Sequence, residues 1–181
     1  MIAVRGRIPA DFNGTIVDLE TTGLSPAANG VITVGVLHGS RYDVFQASTA
    51  DEAPLKLNPY ILSLPRPRYA FNKGFEESFL GFGIDNELQA RPYERKTEAI
   101  YIRSLQDPLG RRGELVPLEW QAYLKDGDKT HLHRIIGHNV SDLLEELCLA
   151  LLMAGQSSKT EDPHSIGPVP SERTLPRVVG S

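Results

Sequence analysis

The chain has 181 residues, 40% of them hydrophobic and 23% charged, with a formal net charge of -4. That length suits one domain with a sizeable core, no apolar run is long enough to span a membrane, and the acidic balance excludes a protein that coats duplex nucleic acid through a broad basic face. It leaves room for an enzyme that holds a few phosphates through metal ions. Arg5 and Arg7 are followed by no apolar block, so no secretory signal is read at the start. The single cysteine, Cys148, has no internal partner and sits among leucines, which suits core packing. A cytoplasmic location is the expectation, with no membrane partner.

In chain order, residues 13–48 read as a β-meander, with strands over 14–19, 31–37 and 41–46 and a two-residue turn at Gly39-Ser40. A helix is expected over 51–64, with Pro54 at its start and Pro59 as a break. A short strand over 68–71 and a helix over 75–82 follow, then a helix over 93–102 and a turn over 107–110. A short helix over 118–123 buries Trp120, residues 126–128 turn, and 130–136 are helical. The last helix spans 139–153, where Val140, Leu143, Leu144, Leu147, Cys148 and Leu151 recur on one face. Beyond Gly155 the periodicity gives way to serines and prolines. The chain therefore divides into a domain over 1–154 and a flexible tail over 155–181.

The chemistry begins at Asp18-Leu19-Glu20-Thr21-Thr22-Gly23, directly after the apolar Thr15-Ile16-Val17. Side chains alternate along a strand, so Asp18 and Glu20 share a face. Two adjacent carboxylates repel unless a cation lies between them, and hard divalent cations prefer oxygen donors. Late in the chain, His138-Asn139-Val140-Ser141-Asp142 puts His138 and Asp142 four apart, on one face if both are helical. A purely local reading is also available there: Asn139 as a helix N-cap, with Asp142 favoured by the helix dipole. In the middle, Arg68-Tyr69-Ala70-Phe71-Asn72-Lys73-Gly74-Phe75-Glu76 runs from a strand to an aromatic-acid pair, with Glu77 and Asp85 as alternative acids.

These three stretches resemble the motifs of the DEDD exonuclease superfamily, and the His-Asn-x-x-Asp form resembles its YprB-type predicted exonuclease branch. The likeness covers about residues 13–153. It implies an α/β, RNase H-like fold with a mixed central β-sheet flanked by α-helices, and 3′–5′ hydrolysis of phosphodiester bonds in single-stranded DNA or RNA. By the resemblance two Mg²⁺ or Mn²⁺ ions sit roughly 4 Å apart. Asp18 bridges them, Glu20 and Asp142 hold the first, Glu76 holds the second, and His138 serves the attacking water. Thr21, Thr22, Gly23, Asn72 and Asn139 are the expected substrate contacts.

The chain departs from the pattern in three respects. Its His stands four before the late acid, the spacing at which other members carry Tyr. Glu76 stands where the branch usually has Asp, and the stretch after the second motif is short. Two other functions use the same fold: a module that holds a nucleic-acid end without cutting it, and a scaffold for protein contacts. Arg91, Arg95, Lys96, Arg103, Arg111 and Arg112, with Arg66, Arg68 and Lys73, read either as a phosphate track or as a solvated surface of mixed charge. Tyr93 and Tyr101 read as core residues or as base-stacking ones.

Overall fold

A computed structural model of the chain describes residues 1–88, 107–110 and 112–157. The expected helix over 93–102, most of the mid-chain arginines, Tyr93, Tyr101 and the tail beyond 157 lie outside the described residues. The described part is a mixed α/β fold. Strands β1 (Ile2–Thr21), β2 (Val31–Gln46), β3 (Arg68–Ala70) and β4 (Asn86–Glu87) form one sheet in the order β2-β1-β3-β4. β2 runs antiparallel to β1, while β3 is parallel to β1 and β4 to β3.

Among the described residues four helices accompany the sheet: α1 (Asn58–Ser63), α2 (Lys73–Leu80), α3 (Val116–Asp126) and α4 (Lys129–Ser157). No described helix is long and apolar enough to cross a membrane. The two faces of β1 divide the core by simple alternation. Ile16 packs with Leu37 of β2 and with Leu143 and Leu147 of α4. Val17 and Leu19 face the other way, toward Ile61 of α1 and Leu80 of α2. A third cluster joins Ile32 to Trp120 of α3 and to Leu132 and Ile135 of α4. Trp120 is buried as expected.

The sheet corrects the expected meander. β1 begins at Ile2 rather than near Gly14, and its first half pairs with the part of β2 expected to be a third strand, as in Ile2↔Gln46 and Val4↔Val44. Gly39 does take a positive φ of 55°. It sits opposite Phe12 beside two register shifts, so it bends one continuous strand instead of turning the chain back. The expected 51–64 helix is also divided. Residues Ala50–Glu52 make one 3₁₀ turn, and α1 starts later with Pro59 in its first turn, where a missing N–H costs no helical bond. The expected helices over 130–136 and 139–153 are one helix, continuous through Gly137. Leu151, assigned to its apolar face, is exposed, and Cys148 is only half-buried.

Candidate metal centre

The site forms where β3 stops pairing with β1. The last β1–β3 pair is Ile16↔Tyr69, whereas β1 continues along β2 through Asp18↔Gly35 and Glu20↔Thr33. The β3 side of β1 is therefore open from Asp18 onward, and the chain leaving β3 turns into α2 there. This is the carboxyl end of two parallel strands, the usual ligand position in open α/β sheets. A cavity of about 680 Å³ opens at this point, within the range of roughly 300–1,000 Å³ typical of small-molecule sites. Asp18, Glu20, Glu76, His138 and Asp142 all line it, joined by Glu145 and Glu146.

Each element delivers its carboxylate for a local reason. Asp18 and Glu20 share the face of β1 that meets α4. Asn72 caps α2, accepting from Phe75 N at 3.3 Å, and this fixes Glu76 in the helix's first turn. His138, Asp142 and Glu146 follow at four-residue steps along α4 and form one stripe. Ligand atoms of Glu20, His138 and Asp142 lie within 4.8 Å of one another, close enough to share one cation.

Burial dominates the electrostatics. Asp18 and Glu20 are 8% and 7% exposed, and Glu76 and Glu146 each 3%. Loss of water raises the Asp18 carboxyl to about 7. Burial, followed by the charge of Asp18, raises Glu76 to about 8 and Asp142 to about 8. Glu20 and Glu146 are held well above the usual carboxylate range, first by burial and then by Asp18 and its neighbouring acids. Glu20 Oε1, Glu76 Oε2 and Glu146 Oε2 are buried with no hydrogen-bond partner among the described residues. The described lining includes no lysine or arginine. Unpaired buried carboxylates are costly, and a divalent cation with its hard preference for oxygen is the chemistry that fits this donor set.

His138 stands between two acids. Its Nδ1 lies 3.0 Å from Asp107 Oδ2 and its Nε2 3.5 Å from Asp142 Oδ2. Asp107 arrives through the turn over 107–110, which packs against α4 at Gly137. A Cβ on Gly137 would approach Pro108 Cγ to 2.7 Å, so only glycine admits the turn this close.

The expected substrate contacts separate. Thr21, Gly23 and Asn72 line the cavity. Thr22 is absent from the lining, and its hydroxyl accepts from Gly30 N at 3.0 Å, closing the 22–30 loop. Asn139 is neither a helix cap nor a cavity residue. It lies inside α4, fully buried, and supports Asp18 from behind.

The alternative middle acids are engaged elsewhere. Glu77 accepts from Ile84 N at 2.8 Å, and Asp85 from Arg68 N at 2.7 Å and Arg66 Nε at 3.1 Å. Arg66 and Lys73 pair with acids of the protein, which favours the mixed-charge surface for these two, while Arg68 is buried and fits neither alternative. Asp107 and Glu146 escaped the sequence reading, as did Glu145 of the cavity wall. Asp107 read only as a turn former. Glu146 carried a usable signal, its spacing of four from Asp142, but it sits among leucines that read as a plain apolar face. No protein-family model, curated protein or solved structure matches the chain.

Proposed function

We propose that the chain is a metal-dependent 3′–5′ exonuclease with an RNase H-like domain, acting on single-stranded DNA or RNA. The observation that carries this reading is the convergence on one cavity of buried carboxylates from β1, α2 and α4, each with an oxygen that has no hydrogen-bond partner among the described residues, beside His138. Asp18, Glu20, Glu76 and Asp142 would hold Mg²⁺ or Mn²⁺, and such ions, when bound, stabilise charge on the phosphoryl and leaving oxygens of a phosphodiester. The protein's own part is positioning and proton transfer. Thr21, Gly23 and Asn72 at the cavity wall would receive the strand end. His138, whose Nδ1 lies beside the Asp107 carboxylate, presents Nε2 toward Asp142 and would take the proton of the attacking water. The water oxygen bonds to phosphorus, the bond to the 3′ oxygen breaks, and that oxygen leaves with a solvent proton.

The test is Mn²⁺-supported degradation of 5′-labelled single-stranded DNA and RNA, which should give products shortened stepwise from the 3′ end and none with Asp18→Asn. Glu76 in place of the usual Asp favours one second reading, a non-cutting nucleic-acid-end module. Mn²⁺ and strand binding without turnover would select it. Absence of both would leave a protein-contact scaffold.

A further inference from the structure

The stripe on α4 continues one turn beyond the residues used above. Glu146 lies four residues after Asp142 and eight after His138, about 6 Å and about 12 Å along the axis at 1.5 Å per residue. It therefore stands clear of the group formed by Glu20, His138 and Asp142. Asp18 of β1 and Glu76 of α2 line the same cavity and likewise stand outside that group. Glu146 is 3% exposed, lines the cavity, and keeps Oε2 without a hydrogen-bond partner among the described residues. A carboxylate with only a packing role would not be expected to face a shared acidic cavity with an oxygen left unsatisfied.

We infer that Glu146 is a fifth carboxylate ligand, forming with Glu76 and Asp18 the second divalent-cation position of this cavity. The inference rests on the metal-dependent reading of the site and adds a ligand to it. It also bears on Glu76. A glutamate there reaches further than an aspartate, and a second long carboxylate from α4 in the same cavity would make an oxygen cage from two flexible arms rather than one short one. Cations that accept variable oxygen geometry suit such a cage.

The experiment is calorimetric titration of the full chain with Mn²⁺ alone, at one fixed pH, for wild type, Glu146→Gln and Glu146→Met. Wild type should bind two ions. Both variants should keep one site at wild-type affinity and weaken the other by at least tenfold. Thermal unfolding without metal provides the fold check, and the Mn²⁺-induced rise in midpoint should shrink in both variants. Two unchanged sites in a folded Glu146→Gln would overturn the Glu146 assignment while leaving the metal centre standing. No Mn²⁺ binding by wild type would overturn the metal-dependent reading itself, and this inference with it. If Glu146→Gln fails to fold, Glu146→Met decides by the same titration. If both fail to fold even with Mn²⁺, Glu146 is a structural acid and the assignment is wrong.

Discussion

Asn139 Nδ2 donates to Asp18 Oδ2 at 2.7 Å, joining residues 121 positions apart in the sequence. The bond is possible because Gly35, paired with Asp18 across β1 and β2, has no side chain. A Cβ there would stand 2.1 Å from Asn139 Oδ1 and 2.9 Å from Leu143 Cδ1. One glycine therefore sets how closely α4 approaches the strand that carries the acids, and with it the width of the cavity.

Gly35→Ala should accordingly push α4 outward. Overpacking of this kind costs about 1–3 kcal/mol, read as a lower denaturation midpoint. Asn139→Ala removes the nearest obstructing atom, so the double variant should lose less stability than the two single losses combined, with a coupling of about 0.5–3 kcal/mol. Strict additivity in chemical denaturation would show that the contact does not set the helix position.

The same pair of residues marks what the sequence could reveal. The shared face of Asp18 and Glu20 follows from strand alternation, and the stripe of His138 and Asp142 from helical spacing; both need only local geometry. Asn139 resembled a cap because a polar residue before an apolar run usually is one. Its real partner lies on a distant strand, and nothing local signals that. Gly39-Ser40 resembled a hairpin for the same reason. Whether a glycine turns a strand or bends it depends on what pairs alongside, and here residues 2–7 supply the partner. Asp107 acquires its role only because Gly137 lets its turn close on α4.

Asp107→Asn tests that contact. The carboxylate sits 3.0 Å from His138 Nδ1, and partners that orient metal-ligating histidines are worth about 10–100-fold in activity, the scale adopted for this contact beside the metal centre. We expect kcat to fall within that range while KM and the melting midpoint hold. Wild-type kcat in this variant would show that His138 needs no such support.

The buried acids also predict how metal-free stability depends on pH. Asp18 is raised from 3.8 to about 7, Glu76 from 4.5 to about 8 and Asp142 from 3.8 to about 8, in each case mainly by burial. Between the ordinary and raised values the folded chain binds more protons than the unfolded one. Their stabilising effect is thus complete below about pH 4 and is lost as pH rises to about 8. His131, raised by its hydrogen bond to Glu119 at 2.5 Å, acts in the same direction, so His131→Gln is the control. Metal-free midpoints should fall from pH 5 to pH 9 even in that control, and the rise produced by Mg²⁺ should grow with pH. A Mg²⁺ effect that shrinks as pH rises would contradict binding to the ionised carboxylates.

Glu76 is the sharpest point of the catalytic reading. It is almost fully buried in the first turn of α2, the helix that Asn72 caps, and its Oε2 has no hydrogen-bond partner among the described residues. Glu76→Ala should leave the fold intact, since it removes an uncompensated buried acid. It should abolish hydrolysis, because losing a ligand removes charge and position together, worth several kcal/mol of transition-state stabilisation. Glu76→Asp keeps the charge on a shorter arm and should retain or exceed wild-type activity. Glu77→Ala and Asp85→Ala should behave in the opposite way, since their carboxylates hold Ile84 N and Arg68 N in place. These two variants should melt earlier and still cut. Full activity in Glu76→Ala, measured on the same 5′-labelled strands, would remove Glu76 from the site and with it the second-motif part of the exonuclease reading.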